Sequence, residues 1–214
     1  MEIRFAQVPP KEPPRLKRML DHPFFAMMGL RLPIAQHTEV EHDALMRYAK
    51  SARVAVEIGV AEGASAAGIR EAMPGDGTLY LIDPFHLSRI PALNFVKRAA
   101  HRTVRSTGGA KAVWIEAFST DAVRSWNIPF NFLLIDGDHR EEGVEKDWLQ
   151  WSRHADAGAV IAFHDARVFP SGWPTAEYGP VRFVNRYFRQ GLAVPWRIIE
   201  EVHSLVFVSR RNES

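Results

Sequence analysis

Residues 53–70 read Arg-Val-Ala-Val-Glu-Ile-Gly-Val-Ala-Glu-Gly-Ala-Ser-Ala-Ala-Gly-Ile-Arg. The short apolar run from Val54 to Ile58 predicts a buried strand, Gly59 and Gly63 predict a loop, and the Ala- and Ser-rich residues beyond predict a helix. A strand feeding a helix in this way belongs to a parallel α/β sheet. In such a sheet the first crossover loop sits at the carboxyl edge, where nucleotide-like ligands bind. Glycines there let backbone approach a ligand that a Cβ would push away, and the helix that follows presents free N–H groups to it.

The spacing rules out two familiar ligands. A dinucleotide fingerprint needs a second glycine two residues after the first, where Ala61 stands. A phosphate-binding P-loop needs Gly-Lys-Ser/Thr, but Ala64 and Ser65 follow Gly63. What remains is Glu57-x-Gly59-x-x-x-Gly63 with a second acid, Glu62, inside the loop. Two carboxylates around a glycine loop disfavour a diphosphate and suit a cationic ligand bearing an amino group. The stretch resembles motif I of the class I S-adenosylmethionine-dependent methyltransferases.

Strand and helix patterns alternate along the rest of the chain. Residues 7–14 are proline-rich and predict an extended arm, with a short helix from Arg15 halted by Pro23. Phe24, Phe25, Met27, Met28 and Leu30 form an apolar cluster that either packs the arm down or covers a site. Thr38 with Glu41 reads as a capping box. Strands are expected at Val54–Ile58, Thr78–Ile82, Ala112–Glu116, Asn131–Ile135 and Ala159–Phe163, and a terminal hairpin at Trp196–Val202 and Ser204–Ser209. Helices are expected at Asn94–Ser106, Val144–His154 and Val181–Arg189. Nearly continuous apolar strands argue for a sheet covered on both faces. The closing pair, having no helix between its strands, must be antiparallel. The pattern over residues 38–209 resembles the class I methyltransferases. That resemblance implies a Rossmann-like α/β fold with a seven-stranded, mostly parallel sheet in the order 3-2-1-4-5-7-6. Domain limits follow as an arm over 1–37 and an S-adenosylmethionine-binding methyltransferase domain over 38–214.

Composition narrows the setting. The 214 residues, 46% hydrophobic, can bury a sizeable core. The absence of cysteine excludes disulfides, thiolate metal sites and a cysteine nucleophile, and suits a reducing compartment. Met1 to Phe5 carry an acid and no apolar core of a secretory signal, and no apolar run is long enough for a bilayer. A net charge of +2 gives no case for nucleic acid. A cytoplasmic protein without membrane or nucleic-acid partners is expected.

Successive strands of a parallel sheet end at one crevice, and here those ends read Glu57, Asp83, Glu116, Asp136 and His164-Asp165. Asp83 stands where a carboxylate accepts both hydroxyls of a ribose. Ala117-Phe118-Ser119 could offer an apolar face and a hydrogen bond to a base. Asp136-Gly137-Asp138-His139 with Glu142-Gly143-Val144, and Phe163-His164-Asp165, resemble methyltransferase family 24 and the wider group around the catechol-type O-methyltransferases. The resemblance implies cofactor binding by Glu57, Gly59, Glu62, Gly63, Ser65, Asp83, Phe118, Ser119 and Asp136. It also implies a divalent cation, Mg²⁺ or Mn²⁺, on Asp136, His164 and Asp165, with His164 standing where the metal-dependent relatives more often have Asp.

Without a metal, His139 or His164 could take the acceptor's proton, since imidazole titrates near neutrality; Asp136 completes the candidate catalytic set. The loop with Phe169, Trp173 and Tyr178 would shape an acceptor pocket. The reading is O-methylation of a small molecule by S-adenosylmethionine, and the arm would let the chain form a homodimer. Two rivals stay open: a metal-dependent hydroxylase-like enzyme using Asp136, His164 and Asp165, and a non-catalytic S-adenosylmethionine-binding protein.

Overall fold

Strands β1 (Val54–Ile58), β2 (Thr78–Ile82), β3 (Lys111–Ile115), β4 (Phe130–Ile135), β5 (Ala155–Phe163), β6 (Trp196–Val202) and β7 (Leu205–Arg210) form one sheet in the order 3-2-1-4-5-7-6. The computed structural model describes residues 6–7, 16–85 and 94–210. The first five strands pair parallel, and β7 runs antiparallel between β5 and β6. This is the expected topology: a turn as tight as His203-Ser204 can only reverse the chain.

Helices α1 (Leu16–Met28), α2 (Glu39–Ala49), α3 (Ala64–Ala72), α4 (Phe95–Arg105), α5 (Ser119–Ala122), α6 (Glu141–Trp151) and α7 (Gly179–Val184) accompany the sheet. Side chains alternate along β1, so the two faces of the sheet carry separate cores. Ala55 packs with Leu45, Ile69 and Val104 beneath α2, α3 and α4. Val56 and Ile58 pack with Trp148, Trp151 and Phe183 beneath α6 and α7. Glu57 therefore points to the side of Ala55, under α3, a placement that decides its role below.

The capping box forms as expected: Glu41 N–H donates to Thr38 Oγ1 at 3.3 Å and Thr38 N–H to Glu41 Oε2 at 2.7 Å. Glu41 does more than cap. Its Oε1 accepts from the Ser204 N–H at 2.7 Å and hydroxyl at 2.6 Å, which ties α2 to the β6–β7 turn. Arg70 plays a similar part on α3, donating to the carbonyls of Val104, Thr107 and Ala110 and so fastening the end of α4 to the start of β3.

Several expected boundaries move. Pro23 does not halt the first helix: α1 runs through it to Met28. Packing on α4, with Phe24 edge-on to Phe95 at 5.2 Å, outweighs the backbone bond proline cannot make. The stop is Gly29 (φ +74°), after which Leu30 N–H reaches back to the Phe25 carbonyl at 2.9 Å. Of the expected arm, Ala6–Gln7 pairs in parallel with Ile34–Ala35, and residues 8–15 lie outside the described residues. β5 begins at Ala155, four residues early, next to an irregularity in register at Phe130/Phe132. The expected helix over 181–189 is α-helical to Val184 and a π turn at Asn185–Arg189. Among the described residues no helix is long and apolar enough to cross a membrane.

Gly59 holds a tight backbone position at the edge of the sheet, with φ +88° and an added Cβ lying 2.2 Å from the Asp136 carbonyl oxygen. Gly59→Ala is expected to destabilise the fold by about 2–5 kcal/mol, from left-handed strain plus overpacking. Gly75→Ala, with nothing within 4 Å of its added Cβ, should stay within about 0.5 kcal/mol. Urea unfolding of both variants checks the contrast.

Candidate functional site

A cavity of about 850 Å³ opens at the carboxyl edge of β1–β5, where their exit loops converge. The segment 34–38 and Glu41 also line it, so the N-terminal part of the chain contributes to its wall.

The loop after β1 is shaped by the acid after β2. Asp83 Oδ2 accepts from the Val60 and Ala61 N–H groups at 2.9 and 3.2 Å, and Oδ1 from the Phe85 N–H at 2.8 Å. These bonds hold Ala61 at φ +47° and bring Asp83 to the cavity wall. Gly59 and Ser65 line the cavity as well, but two neighbours do not.

Gly63 (φ +81°) keeps its Cα bare for the backbone of Ala100, whose oxygen lies 3.1 Å from an added Cβ. Its glycine serves chain packing, not approach by a ligand. Glu57 is fully buried beneath the floor, where Oε1 accepts from the Ser65 hydroxyl and Oε2 has no partner among the described residues. Burial pushes its pKa up to about 8, the Ser65 bond opposing, so Glu57 is uncharged at neutral pH. It supports the loop and does not meet a ligand. Glu62 does line the cavity, but its carboxylate is engaged by His22 Nδ1 at 3.1 Å and the Ile34 N–H at 3.0 Å. It latches the N-terminal segments onto the glycine loop.

At the ends of β4 and β5 four polar side chains cluster. His164 Nδ1 lies 3.0 Å from Asp136 Oδ1 and 3.3 Å from Asp165 Oδ2, and His139 Nε2 lies 3.3 Å from Asp136 Oδ1. Burial works to lower the His164 pKa, but the two carboxylates raise it well above the usual value. Burial likewise opposes ionisation of Asp136, yet His164 and His139 hold it well below the usual carboxylate range. For His139 burial is again overcome, here by the bond to Asp136, and its pKa is raised.

His164 is only 3% exposed and is absent from the cavity wall, whereas Asp136, His139 and Asp165 line it. These three can each bring one ligand atom within 4.8 Å of the others. The structure thus puts His139 where the sequence led us to expect His164: His164 and Asp165 are both buried, and of the two only Asp165, at φ +53°, lines the cavity. Asp165 Oδ1 is buried and has no hydrogen-bond partner among the described residues.

The aromatic loop borders this cluster, with Phe169 and Trp173 on the wall and Tyr178 packed on Trp173 and His139 at 4.4 and 5.5 Å. His37 lies on the same wall, with Nε2 3.1 Å from His42 Nδ1. Burial, aided by the charge of His164, pushes its pKa down to about 3, so it stays neutral. At the opposite end of the cavity stand Phe118, Ser119, Thr120 and Asp147. Sequence reasoning missed His37, Glu41 and Asp147 as cavity residues. For Asp147 a signal existed: Val144, Asp147, Trp148 and Trp151 form one buried helical stripe, and Asp147 is its only acid.

A family model described as a methyltransferase domain, of methyltransferase family 24, matches residues 56–166. Solved structures share the fold at low identity. An O-methyltransferase from Streptomyces achromogenes involved in tomaymycin synthesis, in complex with SAM, is 19% identical, with 92% of each chain covered and a TM-score of 0.58. An O-methyltransferase from Bacillus cereus in complex with SAH is 16% identical, with 92% of each chain covered and a TM-score of 0.57. A SAH-bound methyltransferase from Podospora anserina is 11% identical over 94% of this chain and 91% of that one, with a TM-score of 0.61.

The charge cluster has a definite pH signature. His164, with a raised folded pKa, contributes stability fully below its unfolded value of 6.5 and loses it as pH climbs through the folded value. Asp136, with a lowered one, contributes above its unfolded 3.8 and loses that as pH falls. Together they stabilise most between about pH 4 and 6.5. Urea midpoints should fall from pH 6.5 upward, and the fall should be smaller in His164→Gln.

Proposed function

The chain belongs to methyltransferase family 24, whose domain covers just over half of it, and on that footing we propose that it transfers the methyl group of S-adenosylmethionine to an oxygen of a small molecule. The observation that carries this reading is the shape of the crevice. A glycine loop held by Asp83 lies between a pocket around Phe118 and the cluster of Asp136, His139 and Asp165, all on one cavity wall. Structures with the same fold that hold SAM or SAH support the choice of cofactor. The cysteine-free chain accords with work in a reducing cytoplasm.

Bound S-adenosylmethionine supplies a methyl group that its sulfonium has already activated. The protein's share is alignment, exclusion of water and removal of one proton. Asp83 presents its carboxylate to the ribose hydroxyls. Phe169 and Trp173 wall the acceptor space and keep water out. His139, facing that space, receives the acceptor's hydroxyl proton as the oxygen bonds to the methyl carbon. The C–S electron pair returns to sulfur and leaves a neutral thioether. Asp136 orients the His139 ring and stabilises its protonated form.

A second reading rests on the grouping of Asp136, His139 and Asp165, with Asp165 Oδ1 buried and unpartnered among the described residues. These residues would hold a divalent ion, and one imidazole among carboxylates favours Mn²⁺ over Mg²⁺. Such an ion would lower the pKa of the acceptor hydroxyl. Calorimetric titration of both ions into wild type and Asp136→Ala decides between the readings. Binding of either ion that the variant loses establishes the metal site, and no binding leaves His139 as the base.

Two further outcomes test the main reading. S-adenosylmethionine and S-adenosylhomocysteine should both bind in calorimetry, with Asp83→Ala weakening each by about tenfold or more, as loss of charge-assisted bonds would. In a methyl-transfer assay on a panel of phenols, sugars and amines, kcat should rise with pH through a midpoint above 6.5, because His139 must lose its proton to act. Asp136→Asn should move that midpoint down.

A further inference from the structure

Between α1 and α2 the chain runs along the cavity wall as a strap, residues 29–38, of which 34–38 line the cavity. Its two ends are anchored away from the glycine loop. At one end Gly29 takes φ +74° and leaves no room for a Cβ beside the Arg102 side chain of α4. At the other, Thr38 caps α2, and its Oγ1 lies 3.0 Å from His203 Nδ1 in the β6–β7 turn. The middle of the strap meets the glycine loop at Glu62, whose Oε2 accepts from the Ile34 N–H at 3.0 Å. Among the described residues no other hydrogen bond joins residues 32–36 to the loop or to the seven-stranded sheet. Ile34–Ala35 pairs instead with Ala6–Gln7, which adds backbone to the strap without tying it down. His22 Nδ1 lies 3.2 and 3.1 Å from the two oxygens of the same carboxylate. It is fixed on α1, which packs on α4 through Phe24 and Phe95, and so it aims Glu62 at the strap.

We propose that this strap is the gate through which S-adenosylmethionine enters and S-adenosylhomocysteine leaves, with Glu62 as its latch. The gate rests on the cofactor reading above and gives that ligand a route. The loop beneath cannot yield: Asp83 holds the Val60 and Ala61 N–H groups, and the Gly63 N–H closes on the Val60 carbonyl at 2.8 Å. The strap can. Leu30 is 70% exposed and Leu32 47%, so this end of the strap has little apolar burial to hold it, and segments of that kind open at the lowest free energy. Fixed ends with one tie in the middle make a hinged band, which covers a ligand on the loop while Glu62 engages and lifts when it lets go. Because the latch stands on the rigid loop, opening leaves Gly59 and Asp83 in place for the next ligand. His22 touches no ligand in this scheme; it is a positioning residue that acts through Glu62.

The test is the exchange rate of S-adenosylhomocysteine on the full chain, followed by surface plasmon resonance, with Kd from calorimetry alongside. Glu62→Ala should raise the association and dissociation rate constants together, each by about fivefold or more, since opening no longer breaks the hydrogen bonds of the latch. Kd should stay within about threefold of wild type, because the open state gains equally with and without ligand. His22→Ala should shift both rates the same way to a smaller degree. His22→Asn, which keeps a donor where Nδ1 stood, should return them toward wild type. Should Glu62→Ala not fold, the two His22 variants carry the test. A rise in dissociation alone, with affinity weakened in proportion, overturns the gate and makes the strap a fixed wall that touches the ligand. Unchanged rates in the variants overturn it as well and leave Glu62 as a structural tie; in both cases the cofactor reading stands. If wild type does not bind S-adenosylhomocysteine, that reading falls, and the gate with it.

Discussion

Where β1 leaves the sheet, its backbone is wedged between the exits of β2 and β4. The Gly59 N–H donates to the Ile82 carbonyl at 2.9 Å, and the Asp136 N–H donates to the Ile58 carbonyl at 2.8 Å. No side chain fits at residue 59, since its Cβ would meet the Asp136 carbonyl. This three-strand junction sets the depth of the crevice. It places the glycine loop, Asp83 and Asp136 within one wall. Parallel pairing does the rest, because every crossover must return its loop to the same edge.

Around that edge the chain gathers more acids than a buried surface tolerates, and each is handled differently. Burial keeps Glu57 neutral, with a serine on one oxygen. Asp83 is satisfied by three backbone N–H groups, and Glu41 by two more and a hydroxyl. Glu62 engages a histidine of α1, while Asp136 and Asp165 share the buried His164. The result is a division of labour among like residues. Glu41, Glu62 and Asp83 hold loops in place from the cavity wall, whereas Glu57 does its work beneath it.

Much of this was legible beforehand. Val54–Ile58 and Thr78–Ile82 fell where apolar runs placed them, the capping box at Thr38 formed, and the strand order is the one the resemblance to class I methyltransferases implied. The row of polar residues at the strand ends did mark the crevice. Less legible was which of them face it. Glu57 and Asp136 both look like strand-end acids, but Glu57 stands within β1, on the side of α3, and Asp136 one residue past β4. His164 and Asp165 are adjacent and both buried, and only Asp165, at a left-handed turn, lines the cavity. Pro23 misled because local backbone preference was outweighed by packing on α4, which lies some seventy residues later in the chain.

By itself, then, the order of residues determined the elements, the parallel sheet and the set of side chains eligible for chemistry. These depend on periodicity, turn chemistry and short-range capping, all of which are local in the chain. The tertiary structure alone decided which eligible side chains meet: His139 and not His164 beside the open carboxylates, His37 and Glu41 brought in from α2 and the segment before it, and Asp147 joined to Ser119 across two helices. Such meetings depend on how far each strand end projects and which way its last residue turns. Those are set by contacts between segments far apart in sequence, and no short stretch of the chain records them.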